Sequence, residues 1–238
     1  MISNKILKKI SLTNEVETAI NLLKKGMAEL QQISGANDFY HVPILYLSSG
    51  FERLIKCLIC LSLMDDNGEL SDVPFEKSSR KGHDLIYLLD RLLSICAKKN
   101  YASKFTAAKL DIEFLRKDKA LREIVTIFSD FGQGARYYNL DIVLNGISNY
   151  KDPKLAWDAI EMTIVQMKER DLNEIAKVPI NELYKEINRE IIIILEKFTR
   201  ALARLFTLAD FGDLAMQISG LVHGYLFLMN KDLGTKNY

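Results

Sequence analysis

The chain reads as an all-α protein, an up-down helical bundle with long helices added toward its C-terminus, and three observations carry that reading. Only four prolines and twelve glycines punctuate the 238 residues, so most of the chain can run uninterrupted in helices, which argues against an all-β fold. Apolar residues recur at alternating steps of four and three over several stretches, the spacing that places side chains on one helical stripe. Hydrophobic residues make up 48% of the chain, enough to bury a sizeable core. The expected division is a bundle core at residues 1–150 and a C-terminal helical extension, 151–238, packed on it.

The first strong helix is expected to start near Thr13, with Glu15 and Glu17 in its first turn, and to carry the stripe Val16, Ile20, Leu23, Met27 and Leu30. Ser34 and Gly35 should end it, and the short loop to Pro43 predicts an antiparallel partner. That partner is the longest nearly continuous apolar run, Ile44 to Met64, with Leu47, Phe51, Leu54, Leu58 and Leu61 on one stripe. Glu52 and Lys56 stand one turn apart in it, in the order that favours an ion pair.

From Asp65 to Gly82 the sequence turns polar and broken, a long surface loop. His83-Asp84 opens a third helix burying Leu85, Leu89, Leu92 and Cys96, and another helical region covers Lys104 to Phe128. Gly132 and Gly134 mark a break before ARYYNLDIVLNG, a helix or helical turn. Asp152-Pro153 starts the helix that carries Trp157. Beyond Pro179 lies the longest periodic segment, from Leu183 to Leu208, suited to a bundle or a dimer seam. A last helix is expected from about Asp213 to Met229, where Gly220 and Gly224 would admit a neighbouring helix closely. The echo of Phe-Ser-Asp-Phe-Gly at 128–132 in Leu-Ala-Asp-Phe-Gly at 208–212 is too short to mark a duplication. A kinase reading of the two Asp-Phe-Gly triplets fails without a glycine-rich phosphate loop or a His-Arg-Asp loop.

The formal net charge of +1 supplies no global field toward nucleic acid or an anionic membrane, so either would need a local patch. No run is long and apolar enough for a membrane span, and the N-terminus lacks a secretory signal; a cytoplasmic location is expected. Cys57 and Cys60 form a Cys-x-x-Cys inside an apolar helix, and Cys96 sits in another, as buried small hydrophobes do in a reducing compartment. Three scattered histidines supply no second ligand pair for zinc, and no cofactor is expected.

Three pieces in order resemble the HEPN family of small helical domains: GFERLIKCLICL with Glu52 and Lys56, KGHDLIYLLDRL with His83, and Ala-Arg136-Tyr137-Tyr138. They span about Tyr40 to Ser148. The resemblance implies a four- or five-helix bundle that pairs with itself, and a role in prokaryotic toxin-antitoxin, abortive-infection or nucleotidyltransferase-linked systems. Active members resemble metal-independent ribonucleases whose signature, an Arg followed after four to six residues by His, is shared across a dimer cleft. Here Arg136 is followed by Tyr-Tyr-Asn-Leu-Asp-Ile-Val, and none of the ten arginines has a histidine at that spacing. The general acid or base is missing from its usual place.

Arg136, Tyr138, Asn139 and Asp141 form the densest polar group on an otherwise apolar helical segment. Arg136 would hold a phosphate, Asn139 a base or sugar, and Tyr138 would stack on a base. In the structural alternative Arg136 pairs with Asp141 or with Glu52, and the tyrosines are core rings. His83 either donates a proton in a site facing Arg136 or serves as a surface or capping residue. His223 reads as part of a packing segment, and His41 as a loop residue without an evident partner. Basic clusters at Lys5, Lys8 and Lys9 and at Arg116, Lys117, Lys119 and Arg122 read as solvated faces. The loop cluster Lys77, Arg80 and Lys81 beside His83 is the better candidate for RNA contact.

The sequence therefore favours a non-catalytic RNA-binding or protein-interaction module, a homodimer. The rival is a divergent ribonuclease using Arg136 with Asn139, Asp141 and His83 in a dimer cleft. A third reading is a helical scaffold that binds its partner through the long helix from Pro179 to Gly212.

Overall fold

The computed structural model describes residues 4–36, 38, 40–75, 80–167 and 177–238, Arg80 by its backbone alone. The fold is all-α: among the described residues there is no strand, only an isolated antiparallel bridge between Met64 and Leu70. Among the described residues no helix is long and apolar enough to cross a membrane.

Helix α1 (Asn4–Gln32) starts nine residues before the expected cap. Thr13 lies inside it, its hydroxyl donating to the Lys9 carbonyl four residues back. The early turns are tethered by Lys8, whose ammonium reaches the Glu69 carboxylate at 2.9 Å and the Gly68 carbonyl at 3.1 Å. Helix α2 (His41–Leu63) runs antiparallel to α1. The two approach where both lack a side chain: a Cβ on Gly26 would lie 2.6 Å from Leu47 Cγ, and one on Gly50 2.8 Å from Leu23 Cδ2. Arg53 pairs with Glu15 along the same seam.

Helix α3 (Leu85–Lys98) is capped by Asp84, whose carboxylate accepts from Tyr87 N at 3.0 Å. The helical region expected from Lys104 to Phe128 is made of the end of α4 (Tyr101–Lys104), α5 (Thr106–Lys117) and most of α6 (Lys119–Gln133). The breaks have local causes: Phe105 is extended, and the Asp118 side chain caps α6 by accepting from Leu121 N at 2.9 Å. A 3₁₀ turn, Ala135–Tyr137, then leads into α7 (Tyr138–Asn145), which Gly146 ends at a φ of 72°, a left-handed C-cap that glycine adopts without strain.

Helix α8 (Pro153–Met167) starts at Pro153, with Asp152 accepting from Lys154 N at 2.8 Å. Helix α9 (Ile180–Leu208) follows Pro179. The last expected helix is instead α10 (Asp213–Ile218), a 3₁₀ turn at Ser219–Val222 and the short α11 (His223–Leu226). Gly220 and Gly224 have open space where a side chain would be, so they admit no close neighbour.

One buried cluster joins all of these helices except α7. At its centre the Phe51 ring stacks on Phe198 of α9 with centroids 4.4 Å apart and faces Phe128 of α6 at 6.0 Å. The long C-terminal helix thus shares its core with the segment 1–150. The two Asp-Phe-Gly segments have different structures: one lies within α6, the other leaves the end of α9.

Candidate functional site

The packing of α3 and α6 on α2 assembles a polar group at one corner. Glu52, mostly buried on α2, accepts at the same oxygen from Lys56 Nζ at 2.7 Å and from His83 Nδ1 at 3.1 Å. The expected one-turn pair forms and gains a third member from the end of the long loop. Lys56 also lies over the Phe75 ring, 5.0 Å from its centroid. Behind this group Ser129 of α6 donates to Asp84 and accepts from Leu85 N, each at 3.0 Å, fixing the entry of α3. His83 is therefore not the cap of α3; Asp84 is, and His83 is an exposed ring on a carboxylate.

Arg136 is near but differently engaged. Its Nη1 donates to the Gly132 carbonyl at 3.2 Å, and the guanidinium lies over the Tyr137 ring at 5.0 Å. Neither expected partner holds it: Asp141 accepts from Ser148 Oγ at 3.0 Å, and Glu52 is taken by Lys56 and His83. His41 is no free loop residue but the first residue of α2, its Nε2 3.3 Å from the Arg136 carbonyl oxygen and its ring edge-on to Phe131.

The other candidates diverge. Asn139 is exposed on α7, and Asp141 turns toward Ser148. Tyr138 lines a groove of about 710 Å³ between α6 and α8, with Ile127, Leu155 and Ile160 in its walls. Lys81 is exposed. Lys77 and the Arg80 side chain lie outside the described residues. Burial pushes the Cys57 and Cys96 thiols up, Cys96 to about 12, which leaves them protonated and unreactive. Among the described residues no three His, Cys, Asp or Glu side chains gather as a metal ion would need.

The most unusual surface is one the sequence did not single out. Helix α7 has no buried residue. Val143 is 78% exposed, Leu144 76% and Ile147 just beyond it 70%, with Leu140, Ile142 and Tyr137 also in solvent. A short run of leucine, isoleucine and valine ordinarily reads as core, which is why its exposure could not be seen in the sequence. The one available signal was length: eight residues make only two turns, too few to be stable without packing.

No protein-family model, no curated protein and no solved structure matches this chain.

Proposed function

We propose that the chain is a non-catalytic protein-interaction module, a HEPN-like helical domain, and that a second copy of the chain covers α7. The setting implied by that resemblance is a prokaryotic toxin-antitoxin or abortive-infection system. The observation that carries the reading is the solvent-facing α7. Six apolar side chains between Tyr137 and Ile147, each exposing on the order of 100 Å², approach the ~800 Å² that one partner contributes to a stable interface. The face is also compatible with itself. Its only formal charge is Asp141, which is partly buried and accepts from the Ser148 hydroxyl, so a twofold contact can be made through the apolar side chains around it.

The polar corner favours binding over catalysis. Lys56 and His83 share one carboxylate, Arg136 rests on a carbonyl and a ring, Asn139 is exposed and Asp141 accepts from Ser148. A general base facing a phosphate-holding arginine is not assembled from these groups. The same engagement ranks RNA below protein as the ligand, because Glu52 offsets the positive charge that a phosphate would seek.

Sedimentation equilibrium of the wild type and of the Val143→Asp/Leu144→Asp double variant tests this reading. The wild type should be a dimer and the variant a monomer with an unchanged helical circular dichroism spectrum. A wild type that stays monomeric at its highest soluble concentration, or a variant that still dimerises, would overturn it.

A further inference from the structure

Arg200 and Arg204 stand one turn apart on α9, a spacing at which like charges repel. Both line an open cleft of about 590 Å³ between α9 and the segment 226–231, and that segment brings Lys231 to it. Arg200 is more than nine-tenths buried. Among the described residues its hydrogen bonds leave from one nitrogen, Nη1, to the Leu228 carbonyl and to Asn230 Oδ1, each at 2.9 Å. Its Nε is buried without a partner among the described residues. Among the described residues Arg204 is likewise held through Nη1, which donates to both oxygens of Asp111 at 2.9 and 3.0 Å.

Charge is unbalanced here. Burial, and then the neighbouring Arg204, hold the Arg200 guanidinium below its ordinary pKa, while Asp111 and Glu196 act the other way. Of these carboxylates Asp111 is bound to Arg204, and Glu196 accepts from Gly234 N and the Tyr238 hydroxyl, each at 2.6 Å. Two guanidinium groups and an ammonium therefore share one cleft, and one of those guanidinium groups keeps a buried donor without a partner among the described residues. Phe227 and Met229 add apolar walls that are largely exposed.

We propose that this cleft binds a small organic phosphate monoester, its phosphate on Arg200, Arg204 and Lys231 and its apolar part against Phe227 and Met229. The chemistry selects this class. A phosphate monoester carries nearly two negative charges and three acceptor oxygens, matching three cationic donors, whereas a carboxylate offers one charge and two oxygens. A neutral ligand would leave the repulsion between the two arginines in place.

The test is a titration of the whole chain with phenyl phosphate, following the Met229 methyl resonance by carbon-13 NMR, with phenylacetate as the carboxylate comparison. Wild type should show a saturable shift. Lys231→Glu, an exposed change that leaves the fold intact by circular dichroism, should weaken binding about tenfold, as the loss of one charge-assisted contact does. Arg204→Lys retains a cation for Asp111 but removes the planar fork, and should weaken it too. Absence of saturation at millimolar ligand, saturation that leaves Met229 unmoved, indifference to Lys231→Glu, or phenylacetate binding as tightly as phenyl phosphate would each overturn the proposal.

Discussion

Glu161 shows how far a single side chain can depart from what its letter suggests. A glutamate in the middle of an amphipathic helix reads as solvated, yet this one is 6% exposed on α8, and Tyr40 at the start of α2 donates to it at 3.0 Å. Burial raises its carboxyl to about 7; the Tyr40 hydrogen bond opposes that shift, as does Lys154, while Asp158 adds to it. Tyr184, from α9, faces the same group. The unfolded chain releases this proton near 4.5, so between there and about 7 the folded state holds a proton that the unfolded state has lost. Stability therefore falls as pH rises through that window, by up to about 3 kcal/mol once the carboxylate is fully charged. Glu161→Gln, which keeps the shape without the charge, should melt at a higher temperature than wild type at pH 8 and lose that advantage at pH 4. A melting difference that does not change with pH would show that this carboxyl is not the group responsible. At this scale the sequence was informative only for local pairs. Glu52 and Lys56 were legible because four residues make one helical turn, whereas Glu52 and His83 meet only after α2 and α3 have packed. The expected Arg136–Asp141 pair fails because residue 136 sits in a 3₁₀ turn, which carries its guanidinium back to Gly132 rather than along α7.

Between elements the decisive contacts are made by absent side chains. Close approach was expected at Gly220 and Gly224, which stand in open space; it occurs instead at Gly26 and Gly50, whose missing Cβ atoms let α1 and α2 interlock with Leu47 and Leu23. The sequence could not tell these cases apart, because a glycine one turn from another looks the same whether or not a helix crosses it. Substitution can. Glycine to alanine in a helix gains up to about 1 kcal/mol of intrinsic propensity. At Gly50 that gain is opposed by overpacking, which costs about 1–3 kcal/mol in a filled core. The new methyl would sit 2.8 Å from one Leu23 side-chain carbon and 3.1 Å from its backbone nitrogen, so the helices must separate. Gly50→Ala should therefore lower the unfolding free energy by about 1–2 kcal/mol, while Gly220→Ala should leave it unchanged within about 0.5 kcal/mol. Equal denaturant midpoints for the two variants would refute this account of the α1–α2 seam.

For the whole molecule, the all-α class was legible because helical periodicity is repeated many times over and is not disturbed by an error at any one boundary. Helix α9 was legible as a packing helix, from its stripe of Ile187, Ile191, Ile194, Phe198 and Leu205, but its position was not, since periodicity says which face is buried and not against what. The aromatic stack supplies the answer. Phe51 lies between Phe128 and Phe198, all three fully buried, so residues from α2, α6 and α9 complete one core. Asn188 of α9 adds a buried hydrogen bond at 2.7 Å to the Ile33 carbonyl, just past the end of α1. Removing residues 151–238 would expose the face of α2 that carries Phe51, together with the Phe128 face that meets Trp157. Truncating a single buried phenylalanine costs about 3–5 kcal/mol, and a whole domain is stable by only about 5–15 kcal/mol. The fragment 1–150 should therefore melt without a cooperative transition, while the full chain unfolds in one step monitored equally by circular dichroism and by Trp157 fluorescence. A fragment that melts cooperatively near the midpoint of the full chain would show that the first 150 residues hold a core of their own, and that α9 is packed on it rather than built into it.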